Sequence, residues 1–379
     1  MRMTETLDKG GAMKRNRKLL CAALVVAFAL FCLVSPVDAW NSHGACTKLI
    51  ISDQEWLKAY DSITVTPWTY QDVDTAAVGP NFVLQYIEGK PGTVTSAAAI
   101  LTNYADEPDW KMDEDLQLSP LQALTGGSQG WRHQYYGLGW LRFGVAPSRA
   151  QYFFDLAGKA REKGDLYWTF RYLARAMHYV QDTTQPYHGV PAPVGIIFKG
   201  IGNFGTLMGS ATNHHYNLEE YQGAMVARNS PVFVTALQNA LPLDIATATS
   251  PSWLCRHAAY LGRPVVRELW PLETKFFGDS INGKDSWFFD ESTLHAADPG
   301  TTQAAYDQEI STPLGRMSSY TKTLFLLARA CVRPVTNHIF TNCESLKYQV
   351  LWGFTIGVRC RGCLPSRRGP ARRPCRRSR

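Results

Sequence analysis

The chain has 379 residues, of which 45% are hydrophobic and 12% aromatic, and this composition indicates a globular protein rather than a disordered or fibrous one. Its formal net charge of +7 is concentrated at the ends: residues 1–39 carry six basic and three acidic side chains, and residues 344–379 carry ten basic and one acidic. Without these ends the body is net −5, which argues against a basic surface for nucleic acid.

The first 39 residues have the pattern of a secretory signal peptide. Basic residues between Lys14 and Lys18 precede an apolar run from Leu19 to Val34, and small residues follow up to Ala39. The apolar run is too short for a typical membrane span. Cleavage after Ala39 would leave Trp40 at the mature N-terminus, so we expect a secreted or periplasmic protein.

Helical periodicity dominates the body, residues 40–343, which we expect to form an all-α, multi-helix single domain. Asp165 is predicted to cap one helix and Asn213 another. Residues 191–209 and 276–302 are predicted loops because they are rich in glycine and polar residues. The predicted helices, in chain order, are 148–163, 165–182, 214–228, 230–241, 252–274 and 312–330.

The ends and cysteines of the chain add two expectations. Residues 344–379 should form a basic, disordered tail because they are rich in arginine, proline and glycine toward the C-terminus. The body contains Cys46, Cys255, Cys331 and Cys343, an even number that is compatible with disulfides in an exported protein.

Two short stretches have the spacing of a metal site. In the first, His178 precedes Asp182 by four residues, and His188 follows after Gln185-Pro186. In the second, His215 precedes Glu219 by four residues. On a helix this spacing places both side chains on one face, and imidazole and carboxylate are ligands that suit zinc. His214 lies on a different face and is interpreted as an outer contact or a surface residue.

The pattern resembles the zinc-dependent phospholipase C superfamily, which also contains zinc-dependent single-strand nucleases. Members begin with a tryptophan that is exposed by signal cleavage, followed by a nearby histidine, as Trp40 and His43 stand here. They then have one Asp and one His, which Asp106 and His133 match here. Two motifs follow: first His-x3-Asp-x5-His, and then either His-x3-Glu or His-x3-Asp. Asp109 and Asp113 are alternatives to Asp106.

The resemblance implies an all-α domain around three zinc ions. One ion would bind Asp106, His133, His178 and Asp182, and the second would bind His188, His215 and Glu219. The third would take Trp40, His43 and the other oxygen of Asp182. Asp106 would also orient the attacking water or accept its proton.

Three functions fit this site. The first is a monomeric phospholipase C that acts transiently at a membrane surface and releases diacylglycerol and a phosphorylated headgroup through a zinc-activated water. Glu219 and Tyr187 favour this branch, and nearby aromatics could hold a choline headgroup by cation–π attraction. The second is a zinc-dependent single-strand nuclease, and the third is a catalytically inactive zinc-binding module. The candidate headgroup aromatics are Trp68, Tyr70, Trp131, Tyr135 and Tyr136.

Overall fold

The helix that carries the first motif runs through the interior of the protein. In the computed structural model it spans Leu166–Thr184, and every side chain from Tyr167 to Thr184 is buried. The carboxylate of Asp165 accepts a hydrogen bond from the backbone N–H of Trp168, which confirms Asp165 as its N-cap. The helix ends at Gln185, whose extended backbone is the conformation favoured before a proline.

The structure describes residues 42–70, 90–200, 202–290 and 300–331, which belong to one compact, mostly helical unit. The expected signal peptide, Trp40 and the basic tail lie outside these residues. None of the helices in the described ranges has the length and apolar character that a membrane span requires. The helices are α1 (His43–Ile50), α2 (Ala97–Asn103), α3 (Ser128–His133), α4 (Ala146–Glu162), α5 (Leu166–Thr184), α6 (Val194–Gly200), α7 (Phe204–Ala227), α8 (Pro231–Asn239), α9 (Pro251–Phe277) and α10 (Thr301–Cys331).

Two short antiparallel ribbons accompany the helices. Strands β1 (Ile63–Thr64) and β2 (Val94–Thr95) form one. Strands β3 (Tyr136–Leu138) and β4 (Leu141–Phe143) form a hairpin in which Gly137 lies opposite Arg142. The hairpin also pairs with the turn Pro186–His188, because the backbone N–H of Tyr135 donates to the His188 carbonyl at 2.9 Å. One edge of the hairpin is thereby fixed to the turn that carries His188.

The apolar core consists of two clusters. Helix α5 packs against α2, α4, α9 and α10, and its side chains belong to the first cluster with Phe153 and Leu254. Helix α7 contributes Leu218 and Tyr221 to the second cluster. The ligands carried by α5 and α7 therefore come from two different parts of the core.

Several predicted boundaries change. Helix α7 begins at Phe204, so Asn213 lies inside it instead of capping it. The Asn213 amide donates to the Asp285 carbonyl and its oxygen accepts from the Trp287 N–H, which compensates for a polar side chain in a helix interior. Helix α6 occupies part of the predicted loop 191–209, and α10 begins eleven residues earlier than the predicted 312.

Candidate metal centre

Three groups of buried histidine and carboxylate side chains could hold a metal ion within the part of the chain that the structure describes. In each group the ligand atoms lie within 4.8 Å of one another. The groups are His43, His178 and Asp182; Asp109, His133 and His178; and His188, His215 and Glu219. These groups include His43, His133, His178, Asp182, His188, His215 and Glu219 of the residues expected from the sequence.

Asp182 lies between the first two groups because its oxygens face different imidazoles. Oδ1 is 3.2 Å from Nε2 of His43, and Oδ2 is 3.2 Å from Nε2 of His178 and 2.9 Å from Nδ1 of His133. Burial alone would raise the pKa of Asp182, but the neighbouring imidazoles, His178 first, outweigh it and hold the pKa well below its usual range. The carboxylate is thus ionised and positioned to contact two cations at once.

The third group forms around Glu219. Its Oε1 lies 3.0 Å from Nε2 of His188 and 3.2 Å from Nε2 of His215. Burial opposes the ionisation of Glu219, but the two histidines lower its pKa to about 2. Nδ1 of His188 is 3.9 Å from Oδ1 of Asp182, so this group adjoins the others through His188.

The outer ring nitrogens of four histidines are fixed by hydrogen bonds. Each of these nitrogens donates, because its partner is a carbonyl, carboxylate or amide oxygen. The inner nitrogen of each ring is therefore the one left to bind a cation, an arrangement that is common around protein metal ions. The four bonds are His43 Nδ1 to Gln181 Oε1 at 2.9 Å, His178 Nδ1 to the Ala105 carbonyl at 2.8 Å, His188 Nδ1 to the His133 carbonyl at 3.0 Å and His133 Nε2 to Asp113 Oδ2 at 3.0 Å.

This arrangement needs positive charge at its centre. Nδ1 of His133 and Nε2 of His178 face each other at 3.0 Å, although the outer nitrogen of each ring already carries a proton. Among the described residues, none donates a hydrogen bond to either buried oxygen of Asp109. Burial lowers the pKa of His133, but Asp109 and Asp182 outweigh it and raise the pKa to about 9. The residues present therefore fit a bound metal cation, because the carboxylates that would retain a proton would also retain a metal.

Asp106, the expected ligand, has a different role in the structure. Its Oδ1 accepts from the backbone N–H of His43 at 3.0 Å, and its Oδ2 accepts from that of Gly44 at 3.1 Å. These are N–H groups of the first turn of α1, which have no partner within the helix. A Cβ atom at Gly44 would lie 2.7 Å from the Thr102 carbonyl oxygen, so glycine permits this close approach. Asp109, one of the two alternatives, is the carboxylate of this segment that joins a candidate metal-binding group.

Asp113, the other alternative, is an outer partner of His133. It also accepts hydrogen bonds from Arg132 and from the Tyr179 hydroxyl. Burial would raise the pKa of Asp113, but the hydrogen bond from His133 and the charges of Arg149 and Arg132 lower it far below its usual range. An ionised Asp113 keeps the proton of His133 on Nε2 and leaves Nδ1 for the centre.

A buried ion network holds the turn Glu107–Asp109, which presents Asp109. Oε2 of Glu107 accepts from Nε of Arg175 at 2.8 Å and from Nε of Arg171 at 3.1 Å. The Arg171 guanidinium lies over the Tyr104 ring, 3.6 Å from its centroid. Burial opposes the ionisation of Glu107, but the two arginines lower its pKa to about 2. The charged network thus fixes the backbone two residues before Asp109.

A second outer contact was not evident from the sequence. Oε2 of Glu273 lies 2.5 Å from the Tyr187 hydroxyl and 2.5 Å from Nδ1 of His214. Tyr187 and His214 directly precede His188 and His215. The Glu273 carboxylate therefore fixes the residue next to each of these two candidate ligands. His214 is buried, which decides between the two positions left open for it. In the sequence, Tyr187 and His214 are each adjacent to a predicted ligand, which was the available signal. No neighbouring motif indicates Glu273.

Other expected features have mixed outcomes. Tyr70 packs edge-on against Tyr172 in the first apolar cluster and is buried, so it cannot contact a headgroup. Trp131 and Tyr135 are partly exposed beside His133. Cys46 and Cys255 are buried free thiols, so neither forms a disulfide within the described residues.

No protein-family model matches the chain, and no curated protein is similar to it at a significant level.

Proposed function

We propose that this protein is a zinc-dependent phosphodiester hydrolase of the phospholipase C superfamily, secreted or periplasmic, which acts on phospholipids at a membrane surface. The observation that carries the proposal is the position of Asp182, whose Oδ1 faces His43 of the first group and whose Oδ2 faces His133 of the second. A structural zinc site needs one closed set of ligands, whereas adjoining sites that share a carboxylate are typical of hydrolytic centres.

The donor set supports zinc. All ligand atoms are imidazole nitrogens or carboxylate oxygens, and zinc accepts both in small coordination numbers. We expect three ions, with the amine of Trp40 completing the site at His43. When bound, zinc supplies positive charge that stabilises the phosphoryl oxygens and the departing oxygen and makes a bound water more acidic.

The protein residues then have separate roles. His43, His178 and Asp182 on one side and His188, His215 and Glu219 on the other fix the position of the phosphodiester. Asp109 takes the role expected for Asp106 because its oxygens have no other hydrogen-bond donor. It orients a water and accepts its proton as the water oxygen bonds to phosphorus. The bond between phosphorus and the glycerol oxygen breaks, which releases the phosphorylated headgroup, and the glycerol oxygen takes up the proton that Asp109 accepted to give diacylglycerol.

Two observations favour a lipid over a nucleic acid. The second motif ends in Glu219, as in the phospholipase branch of the superfamily that the sequence resembles. The body of the chain is net −5, whereas a protein that tracks a polyphosphate strand usually presents a basic surface.

The test compares three substrates under one condition. The purified, zinc-loaded mature protein, expected to be a monomer, is incubated with phosphatidylcholine micelles, single-stranded DNA or RNA. We expect headgroup release from the micelles and none from Asp182→Asn. Rapid cleavage of nucleic acid without headgroup release would assign the protein to the nuclease branch. Stoichiometric zinc without turnover of any substrate would instead indicate a binding module.

A further inference from the structure

Two arginines that have no carboxylate partner among the described residues lie beside the turn that carries His188. Arg263 projects from α9, and its Nε donates to the carbonyl of Gly189, the residue after His188, at 3.3 Å. Arg142 lies in β4 and donates to the carbonyl oxygens of Gly139 and Leu141 at the tip of the hairpin. Within the described ranges, neither guanidinium forms a salt bridge.

The Arg263 guanidinium has a shaped seat on β3. A Cβ atom at Gly137 would lie 2.1 Å from its Cζ, so the guanidinium rests directly on the glycine backbone. Gly137 is itself tied to the turn, because its N–H donates to the Gly189 carbonyl at 3.0 Å. The Arg263 side chain is therefore fixed in one position beside the candidate metal centre.

The two charges oppose each other. Arg142 lies directly opposite Gly137 in the hairpin, and opposite residues project their side chains from the same face, so Arg142 projects from the face on which the Arg263 guanidinium is seated. Burial, and then the charge of Arg142, lower the pKa of Arg263. Two like charges on one face repel each other, and an anion bound between them would remove that repulsion. The body of the chain is net −5 and so has more carboxylates than basic side chains, yet the two arginines are placed beside each other.

We propose that Arg263 and Arg142 form a subsite for a second phosphate of the substrate, a phosphomonoester carried on the lipid headgroup. The chemistry follows from the guanidinium, whose planar array of donors binds phosphate in a bidentate way. This inference rests on the proposed function and specifies its substrate class: a phosphorylated headgroup is preferred over choline. Arg263 and Arg142 are specificity residues that touch the headgroup, away from the reacting phosphorus.

The first experiment measures kcat/KM on two short-chain lipids that differ only in the headgroup, phosphatidylinositol phosphate and phosphatidylcholine. We expect the phosphorylated headgroup to be preferred. Arg263→Gln should reduce that preference, which is the ratio of the two kcat/KM values, about ten- to a hundredfold, the loss expected for a charged hydrogen-bonded contact. Arg263→Lys should retain part of the preference, because lysine keeps the positive charge but cannot make the paired hydrogen bonds of a guanidinium group.

Two further variants separate the subsite from general effects of charge. Gly137→Ala keeps both arginines but displaces the guanidinium from its seat, and it should reduce the preference as Arg263→Gln does. Arg267→Gln is the matched control, because Arg267 is exposed one turn further along α9 and is already paired with Glu268 at 2.8 Å. Its headgroup preference should equal that of the wild type.

A second readout does not depend on activity. Inositol bisphosphate is titrated into chelator-treated wild type, Arg263→Gln and Arg267→Gln by calorimetry, with unfolding midpoints measured to confirm folding. We expect weaker binding in Arg263→Gln only. If no lipid is turned over but this difference remains, the hydrolase proposal fails and the anion subsite stands.

Two outcomes would overturn the inference. Unchanged headgroup preference and unchanged titration in Arg263→Gln would show that no phosphate binds there. A loss of turnover on single-stranded nucleic acid, with the lipid preference unaffected, would assign the arginines to a strand phosphate and refute the lipid headgroup.

Discussion

Replacing Asp109 with asparagine should remove a metal ion from the centre, whereas the same substitution at Asp106 should reduce stability and leave the metal content unchanged. The two carboxylates are three residues apart, and the sequence alone allowed either one to be the ligand. In the structure, both oxygens of Asp109 lie among imidazoles without a donor, while those of Asp106 accept backbone N–H groups of α1.

The expected magnitudes follow from these contacts. Loss of an outer-shell partner typically weakens metal binding by about 10–100-fold, so if Asp109 is the ligand that we propose, its loss should exceed about a hundredfold, or roughly 3 kcal/mol. Asp106→Asn keeps one acceptor oxygen and loses one charge-assisted bond, which should lower the free energy of unfolding by about 1.5–3 kcal/mol.

Two measurements distinguish these effects. Metal content is determined after dialysis against a competing chelator, and unfolding by urea is followed in chelator-treated protein so that metal does not contribute to stability. Asp106→Asn should retain the wild-type number of ions and have a lower urea midpoint. If Asp106→Asn lost an ion while Asp109→Asn retained all of them, the assignment of the ligand by geometry would be refuted.

Three further predictions concern the candidate ligands and the residues that support them. Glu107 has a folded-state pKa of about 2 against an ordinary 4.5, so it stabilises the fold above about pH 4.5 by on the order of 3 kcal/mol. This stabilisation should be lost as the pH falls toward 2, and urea unfolding across that range should show a shallower acid dependence in Glu107→Gln. Asp182→Asn should lose metal at two groups and nearly all activity, whereas His188→Ala should lose one ion with little change in helical circular dichroism. Glu273→Gln should weaken metal binding at the His188 group about 10–100-fold, measured by chelator competition, while a wild-type affinity would contradict its supporting role.

The candidate ligands that the structure groups as the sequence predicted are those whose geometry is local. His178 and Asp182, like His215 and Glu219, are four residues apart on a helix, so the helix alone brings each pair together. His188 lies just beyond a helix end enforced by Pro186, and the turn returns it toward Asp182. These placements need no knowledge of the tertiary fold.

The choice between Asp106 and Asp109 could not be predicted in this way. It depends on where the first turn of α1, more than sixty residues earlier, meets the segment after α2. The same limit explains Asn213, whose capping preference was outweighed by bonds to the backbone near Asp285. A short polar side chain can bond to a helix end or to the backbone of a distant loop equally well, and the sequence does not show which one is nearby.

The outer partners explain why the centre can exist before a metal binds. Asp113, Gln181 and the Ala105 carbonyl each hold one imidazole by its outer nitrogen, so the rings are oriented without a cation. Their inner nitrogens and Asp109 then form a buried pocket in which Asp109 and Asp182 raise the pKa of His133 to about 9. Protons and metals therefore compete for the same place near neutral pH, and metal binding must release protons. One arrangement of buried carboxylates and imidazoles thus has two effects. Without a metal ion it holds protons, and the same charges would hold the metal ions that make a bound water acidic in a hydrolytic centre.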